Sequence, residues 1–332
     1  MNLLEVRGLK VAFENEKGED LVVVDGVDLS LESGQTLGLV GESGCGKSVS
    51  ALSLLRLLPH PAGKILNGSI LWKNVDLLSM SSDQIRSIRG KEIGMIFQEP
   101  MNALNPSHTI GRQVDEVFLT HREMKQAEAR EHTLKMLQKV GIPEPNVRAN
   151  DYPHQLSGGM RQRIVIAMAL ACEPDLIIAD EPTTALDVTI QAQVLQLMSE
   201  LQEQSAASLL LITHDLGVVA QTCDEVAVMY GGRIVERAPV SKLFQSPKHA
   251  YTRGLLASIP SLTDPVQAKL PVIQGMVPAL ADLNTGCRFA PRSTHHHEQE
   301  WLEVRPPFVE VEENHWVEAC PACAVLNKKD LS

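Results

Sequence analysis

The stretch Thr36-Leu-Gly-Leu-Val40-Gly41-Glu-Ser-Gly-Cys-Gly-Lys47-Ser48 decides the fold. Its first five residues predict a short buried strand, and the apolar residues that follow predict a helix over Ser50–Leu58. Between them lies the pattern G-x-x-x-x-G-K-[ST], in which glycines let the backbone amides wrap a phosphate group. Because the strand, the loop and the helix occur in the order that this motif requires, a chance glycine-rich turn is disfavoured. The stretch predicts a nucleotide-phosphate site in an α/β protein.

The positions of this loop have separate predicted roles. The backbone that surrounds the phosphates comes from Gly41, Glu42, Ser43, Gly44, Cys45 and Gly46. Lys47 brings a positive charge to the β- and γ-phosphates, and the Ser48 hydroxyl is suited to bind Mg²⁺. Cys45 precedes the predicted helix, where a thiol pKa is lowered, so alkylation of Cys45 is expected to block ATP binding and ATP to protect it. The alternative is that Cys45 is merely a small residue tolerated in the loop.

Apolar runs along the rest of the chain alternate between strand and helix patterns. The predicted strands are Leu3–Val11, Leu21–Leu31, Ile93–Phe97, Leu176–Ala179, Leu209–Thr213 and Glu225–Tyr230, and the predicted helices are Lys125–Val140, Met160–Cys172 and Thr189–Gln204. This alternation favours a mostly parallel sheet. After Val235, prolines recur from Pro239 to Pro291 without a long periodic segment, which predicts an irregular extension.

Composition narrows the possible classes of protein. The 332 residues carry a formal net charge of −11, which argues against a protein that mainly grips nucleic acid. No run approaches the roughly 20 apolar residues of a membrane-spanning helix. The N-terminus lacks the basic-then-apolar pattern of a secretion signal. A protein kept in the cytoplasm, with membrane contact only through a partner, is expected.

A second candidate site follows the strand Leu176-Ile-Ile-Ala-Asp180, where Glu181 stands next to Asp180. A buried strand that ends in a carboxylate suits Asp180 for holding Mg²⁺, directly or through water. Glu181 points the other way and is suited to orient or deprotonate an attacking water molecule. The alternative interpretation is a strand followed by an acidic helix cap. It is disfavoured because the chain also contains Lys47 in the phosphate-binding motif.

The segment Gln155-Leu-Ser157-Gly158-Gly159-Met160-Arg-Gln-Arg163 predicts a second anion-binding helix N-terminus. One nucleotide does not need two such sites from one chain. A head-to-tail dimer does, because the second site of each chain closes over the γ-phosphate bound by the other. The alternative, Ser157 as a plain N-cap, explains the serine but not the paired glycines.

In this order the motifs resemble those of ATP-binding cassette (ABC) ATPases, over about Leu4–Val235. The resemblance implies a P-loop NTPase domain over residues 1–235, with a RecA-like core, an antiparallel β subdomain and a helical signature subdomain at about residues 99–172. Leu156–Met160 resembles the signature LSGGQ, with Met160 replacing its glutamine. The implied roles are Gln98 as the Q-loop glutamine at Mg²⁺, Ala185-Leu186-Asp187 as the D-loop, Glu181 as the catalytic glutamate, His214 as the switch histidine and Phe13 as the residue that stacks on adenine.

Two further stretches, Gln98–Pro106 and Leu243–Pro260, resemble the importers of dipeptides, oligopeptides and nickel, with residues 236–332 as the C-terminal extension of that family. The resemblance implies a second ABC ATPase subunit, two transmembrane permease subunits, an extracytoplasmic binding protein and a peripheral position on the cytoplasmic face of the membrane. The solute and the identity of the second ATPase stay open. Two alternative functions also stay open. One is a soluble ABC ATPase that acts on nucleic acid or the ribosome. The other is a non-catalytic subunit, although Glu181 and His214 argue against it.

The last part of the chain holds three of its six cysteines, Cys287, Cys320 and Cys323. Gly286–Arg292 resembles the start of a cysteine motif that holds an iron–sulfur cluster in some relatives, but Ser293 stands at the expected second cysteine and no cysteine lies near Glu300. Three thiolates beside His295, His296 and His297 leave Zn²⁺ or a cluster open. The favoured interpretation is a decayed site with packed or free thiols.

Overall fold

The computed structural model describes residues 2–98, 103–184, 186–259 and 272–326. Contacts divide the chain into two compact units. The signature unit comprises residues 1–3, 31–36 and 79–212, and the phosphate-loop unit comprises residues 4–30, 37–78 and 213–332. Within the described ranges, no helix has the length and apolar character needed to cross a membrane.

The strands are β1 Asn2–Glu14, β2 Asp20–Glu32, β3 Thr36–Val40, β4 Gly63–Trp72, β5 Val75–Asp76, β6 Ile93–Ile96, β7 Leu176–Asp180, β8 Ser208–Thr213, β9 Glu225–Tyr230, β10 Arg233–Pro239, β11 Phe308–Glu312 and β12 His315–Glu318. The helices are α1 Lys47–Leu54, α2 Ser82–Ile88, α3 Ile110–His121, α4 Gln126–Lys139, α5 Pro145–Arg148, α6 Gly158–Leu170, α7 Val188–Ser205, α8 Leu216–Thr222, α9 Val240–Gln245, α10 Ala250–Ala257 and α11 Gln299–Glu303.

The signature unit contains parallel strands in the order β8-β7-β6. Every residue of β7 and β8 is buried, as expected of parallel strands that helices cover on both faces. Helices α3, α4 and α6 pack on one another beside these strands. Ser81 starts α2 with a capping box, because its side chain accepts from the Gln84 N–H while the Gln84 side chain accepts from the Ser81 N–H.

The phosphate-loop unit contains strands in the order β11-β12-β10-β9-β3, of which β3 and β9 are parallel and the others antiparallel. A second, antiparallel sheet has the order β2-β1-β4-β5. Each residue of β3 is buried, and the strand leads directly into the phosphate loop. Helix α1 ends at Leu54, four residues earlier than predicted, and Arg56 then adopts a left-handed φ of 52° that no helix continues.

The C-terminal extension is more ordered than its prolines indicate. Strands β11 and β12 form a hairpin, with Asn314 at a φ of 56° in the turn, and β12 pairs with β10. The hairpin supplies β10 with a neighbour and so covers backbone groups that an edge strand would leave unpaired. The predicted boundary between residues 235 and 236 falls inside β10. Pro260, Pro265 and Pro271 lie outside the described residues.

Ion pairs and an aromatic cluster attach the extension to the strands beside it. Asp25 of β2 accepts hydrogen bonds from Arg233 and from Arg288 of the extension, each at 2.8 Å. Burial by itself raises the pKa of Asp25, but the two guanidinium groups, together with the Lys10 ammonium group, outweigh it and hold that pKa below its ordinary value. The rings of Tyr230, Tyr251 and Phe289 pack with centroids 4.7 to 5.6 Å apart.

Candidate nucleotide site and catalytic residues

The phosphate loop follows β3 and has the backbone shape that its glycines predict. Gly44 and Gly46 adopt φ angles of +80° and +105°, which favour glycine. A Cβ at Gly46 would lie 2.9 Å from Met229 Cε and 3.0 Å from the Val23 carbonyl oxygen, so a side chain there would also clash. No atom of the described residues lies within 4 Å of a Cβ position on Gly44, which leaves that turn of the loop open to a ligand.

Lys47 lies over the loop and is only 4% exposed. Its ammonium group donates hydrogen bonds to the carbonyl oxygens of Gly41 and Glu42 at 2.8 and 3.1 Å. The lysine therefore sits at the first turn of α1, beside the backbone that the motif assigns to phosphate binding. Ser48, next in α1, is partly buried.

The predicted lowering of the Cys45 thiol pKa is wrong. Cys45 is 1% exposed, and this burial raises the pKa of the thiol more than neighbouring Lys47 and its hydrogen bonds lower it. A buried thiol with a raised pKa is a poor nucleophile. Cys45 thus contributes to the loop by filling space under it, and rapid alkylation is no longer expected.

In the signature unit, the structure brings the predicted Q-loop glutamine and catalytic glutamate together. Gln98 Nε2 donates to Glu181 Oε2 at 3.3 Å, and the Thr184 hydroxyl donates to the same oxygen at 2.8 Å. Glu181 adopts a φ of 46°, a left-handed conformation that a residue with a Cβ rarely takes. Its backbone N–H donates to the Ile212 carbonyl oxygen at 2.9 Å, which holds this conformation at the end of β7. Asp180, one residue earlier, is buried.

The signature segment begins α6, and Ser157 is its N-cap. The Ser157 hydroxyl accepts from the Met160 N–H at 3.3 Å, so the simpler role considered for this serine is present. The two glycines differ in their surroundings. Among the residues that the structure describes, none has an atom within 4 Å of a Cβ at Gly158, whereas a Cβ at Gly159 would lie 2.9 Å from Ile190 Cγ2. Gly159 therefore permits close packing against α7, and Gly158 leaves the helix N-terminus uncovered.

Three other predicted site residues lie at strand or helix ends. Asp187 is the N-cap of α7 and accepts from the Ile190 N–H at 2.9 Å. His214 is exposed directly after β8. Phe13 is partly exposed on β1, where it pairs with Gly63 of β4. Ala185 of the D-loop and residues 99–102 of the importer-like stretch lie outside the described residues.

Two contacts to the phosphate loop come from the extension and were not predicted. Arg292 donates to both carboxylate oxygens of Glu42, one of them at 3.1 Å, in a bidentate pair. The Tyr251 hydroxyl accepts from the Glu42 backbone N–H at 2.8 Å. No local pattern marks such contacts, because the two residues follow Glu42 by 250 and 209 positions.

A third unpredicted contact lies in the signature unit. Gln162 of α6 is fully buried and donates to the Pro182 carbonyl oxygen at 2.5 Å, one residue beyond Glu181. The helix that carries the signature glycines is therefore tied to the segment that carries the predicted catalytic carboxylate. The glutamine in Met160-Arg-Gln-Arg163 was the available signal, since a buried amide inside a helix needs a partner.

Comparisons with known proteins agree with these motifs. Residues 24–184 match the family model described as ABC transporter, and residues 235–299 match the model described as oligopeptide/dipeptide transporter, C-terminal region. The chain is 47% identical over 317 residues to the oligopeptide transport ATP-binding protein OppD of Bacillus subtilis, covering 96% of this chain and 88% of the relative. It is 53% identical over 290 residues to the dipeptide transport ATP-binding protein DppD of the same organism, covering 87% and 86%.

Among solved structures, a post-hydrolysis dimer of the ATP-binding cassette MJ0796 bound to ADP and Pi has a TM-score of 0.64 and 27% identity. The match covers 71% of this chain and 98% of that cassette. Fold and motifs thus define an ABC ATPase, the class of protein that couples ATP hydrolysis to transport. This chain belongs to the oligopeptide/dipeptide family of ABC transporter ATP-binding proteins.

Proposed function

We propose that this chain powers the import of peptides by binding and hydrolysing ATP in a head-to-tail dimer of cassettes. The observation that carries the catalytic part is the hydrogen bond between Gln98 and Glu181, which joins the two residues that the resemblance assigns to the attacking water and Mg²⁺. The domain limits that accompany this proposal are residues 1–235 for the ATPase and 236–332 for the extension.

The phosphate loop is the proposed binding element for the nucleotide. The amides of residues 41–46 would surround the phosphates, and Lys47 would exchange its carbonyl contacts for the β- and γ-phosphates. Phe13 is proposed to stack on adenine. The Ser48 hydroxyl, the Gln98 amide oxygen and the Asp180 carboxylate are hard oxygen donors of the kind Mg²⁺ prefers, so the residue types fit that ion. Mg²⁺ neutralises charge on the transferred phosphoryl group when bound.

Glu181 is the proposed catalytic carboxylate. Thr184 and Gln98 donate to one of its oxygens, which restricts the side chain to one orientation while it remains able to accept a proton or a hydrogen bond from water. His214 is proposed to stabilise the charge that develops on the γ-phosphate. The strained backbone at Glu181 supports this assignment, since such conformations cluster at functional sites.

The proposed dimer uses the uncovered N-terminus of α6. Backbone N–H groups and the helix dipole favour an anion there, and Gly158 offers no side chain to block it. Ser157, Gly158, Gly159 and Asp187 of each cassette would therefore act on the nucleotide held by its partner, which is either a second copy or a related chain. The two-cassette arrangement in the MJ0796 structure supports this proposal.

Peptide cargo and the wider assembly are proposed from the extension. The match over residues 235–299 and the printed names of the relatives support a peptide importer with two permease subunits and an extracytoplasmic binding protein. The chain would then lie on the cytoplasmic face of the membrane, bound to the permeases.

The test compares wild type with Glu181→Gln and with Glu203→Gln, an exposed glutamate of α7 that serves as the matched control. Glu181→Gln is expected to bind ATP, to lose hydrolysis by about 10²-fold or more, and to accumulate as an ATP-bound dimer by light scattering. Glu203→Gln is expected to behave as wild type. Hydrolysis by Glu181→Gln within a few-fold of wild type would contradict the assignment of the catalytic carboxylate.

Transport is tested with the complete assembly in proteoliposomes. Peptide supplied with the binding protein is expected to stimulate ATP hydrolysis and to accumulate inside, and Glu181→Gln is expected to abolish both. Stimulation by DNA or ribosomes, with no response to permeases and peptide, would instead favour the alternative of a soluble ABC ATPase.

A further inference from the structure

Four potential metal ligands converge in the extension. Cys287, His297, Cys320 and Cys323 each offer one ligand atom, and these atoms all lie within 4.8 Å of one another. We call this group the cysteine–histidine cluster. All four residues are buried, and His297 is the most exposed at 8%. Each of the six cysteines, all within the described ranges, is a free thiol.

The backbone around the cluster is held by hydrogen bonds that do not use the ligand atoms. The Cys287 N–H donates to the Trp301 carbonyl oxygen at 2.7 Å. Cys320 and Cys323 form a C-x₂-C turn in which the Cys323 N–H donates to the Cys320 carbonyl oxygen at 2.9 Å. The Ala250 N–H donates to the Cys323 carbonyl oxygen at 2.7 Å, which fixes this turn on the start of α10. The thiols are therefore presented by a preformed frame.

The hydrogen bond of His297 leaves the correct ring nitrogen for a metal. Its Nδ1 lies 3.0 Å from the His295 carbonyl oxygen, and because a carbonyl oxygen only accepts, Nδ1 must carry the proton. In the neutral ring Nε2 is then the nitrogen without a proton, and it lies 3.2 Å from Cys323 Sγ. Metal-binding histidines are usually oriented in this way, with the second ring nitrogen donating to a carbonyl or carboxylate.

The separation between the sulfurs of Cys287 and Cys323 fits a single tetrahedral ion. Two thiolates on one Zn²⁺ lie about 3.8 Å apart, because each Zn–S bond is about 2.3 Å, and Cys287 Sγ and Cys323 Sγ are 3.7 Å apart. A disulfide needs about 2.05 Å between the sulfurs. The thiolates of a four-iron cluster bind different irons around a sulfide core, which spreads them further than one shared ion does.

We propose that the cysteine–histidine cluster is a structural Zn²⁺ site with Cys287, His297, Cys320 and Cys323 as its ligands. Thiolate and imidazole donors in a closed tetrahedral set, with C-x₂-C spacing, are typical of structural zinc. His297 and Cys323 complete the set that the sequence leaves incomplete at Ser293 and near Glu300. The ion would join three segments of the extension, around residues 287, 297 and 320–323.

The first test uses the full wild-type chain and needs no variant. Metal analysis of the chain purified without added metal is expected to find a single zinc ion per chain. Replacement by Co²⁺ is expected to give the visible d–d bands of a tetrahedral ion and a thiolate-to-cobalt charge-transfer band. Iron with acid-labile sulfide in place of zinc, or a chain without metal that takes up neither Zn²⁺ nor Co²⁺, would overturn the proposal.

The second test assigns the ligands. Cys323→Ser and His297→Ala are expected to lose most of the bound zinc and the cobalt spectrum, while the matched controls Cys172→Ser and His295→Ala retain both. Cys172 is another buried cysteine and His295 is exposed beside the cluster. Removal of zinc from wild type by a chelator is expected to make three further thiols reactive and to expose residues 286–326 to protease, as metal binding is coupled to folding. Full zinc retention by both ligand variants would contradict this ligand set.

Discussion

The phosphate loop and the cysteine–histidine cluster both lie in the phosphate-loop unit, yet they are built in opposite ways. The loop is one contiguous segment, residues 41–48, whose proposed binding groups are mostly backbone amides. The cluster collects four side chains from positions 287 to 323. A contiguous backbone site is encoded by a local pattern, whereas a convergent side-chain site exists only after its segments have folded against each other.

The two regions are also linked by contacts that neither pattern contains. In the sequence, Arg292 stands between two ligands of the cluster, Cys287 and His297, and its side chain pairs with Glu42 of the loop. The Tyr251 hydroxyl accepts from the Glu42 N–H. Tyr251 follows His249 in a segment that the C-x₂-C turn contacts. The extension thus contacts the first residues of the phosphate loop. Loss of the extension's structure is therefore expected to lower the affinity for the nucleotide.

The largest effect is expected from the loop itself. Lys47→Ala should lower ATP hydrolysis by about 10²-fold or more, because it removes the charge that we assign to the β- and γ-phosphates. Steady-state hydrolysis and the affinity for a fluorescent ATP analogue measure this. Lys139→Ala, at an exposed lysine of α4, is the control and should leave both unchanged. A Lys47→Ala variant with near-normal affinity and turnover would break the assignment of the loop.

Next in size is Glu236→Gln, which tests how the extension is held. Buried Glu236 accepts from His315 Nε2 at 2.7 Å and from the backbone N–H groups of Lys248 and His249 at 2.6 and 2.9 Å. Burial by itself raises its pKa, but these hydrogen bonds outweigh it and lower the pKa below the ordinary value. The substitution should reduce the free energy of unfolding by about 2 kcal/mol.

The difference in the free energy of unfolding between wild type and Glu236→Gln should depend on pH in a defined direction. A lowered pKa in the folded state means that ionised Glu236 contributes stability above its ordinary pKa of 4.5 and that this contribution is lost as the pH falls through the folded-state pKa. Denaturant unfolding at pH 7 and at stepwise lower pH should show wild type and Glu236→Gln converging. Glu116→Gln, at an exposed position of α3, is the control. A gap that is constant or grows on acidification would contradict the role of the ionised carboxylate.

Arg292→Ala should weaken ATP binding by about tenfold, corresponding to about 1.4 kcal/mol. The variant loses the bidentate pair that positions Glu42, and Arg292→Lys should fall between it and wild type because lysine keeps the charge without the planar fork. Arg305→Ala is the matched control, since Arg305 bonds Gly26 of β2 rather than the loop. Equal affinities for all of these proteins would show that the loop does not depend on the extension.

The smallest effect is expected from Tyr251→Phe. It removes only the hydroxyl that accepts from the Glu42 N–H and should cost about 1 kcal/mol in the free energy of unfolding. Combined with Arg292→Ala, its effect on ATP affinity should be non-additive, because both residues act on Glu42. Strictly additive losses would indicate that the two contacts are independent.

The sequence by itself determined the α/β fold, the phosphate loop, the strand that ends at Asp180 and Glu181, and the signature helix with Ser157. These features are local: each depends on the order of a strand, a turn and a helix, or on a cap three residues from its partner. Even the family relationship follows from such motifs. Strand limits were predicted to within a few residues because hydrophobic runs are themselves local.

Tertiary structure alone decided the rest. It buried Cys45 and so reversed the expected direction of its pKa, because the cost of desolvating a thiolate depends on what packs around it. It added the β11–β12 hairpin to β10, placed Gln98 on Glu181, and brought Arg292 to Glu42. It also brought three cysteines and His297 close together while leaving His295 and His296 exposed. The sequence does not indicate which of these three adjacent histidines joins the cluster. Contacts between residues far apart in the chain depend on how its segments pack, and no local pattern specifies that packing.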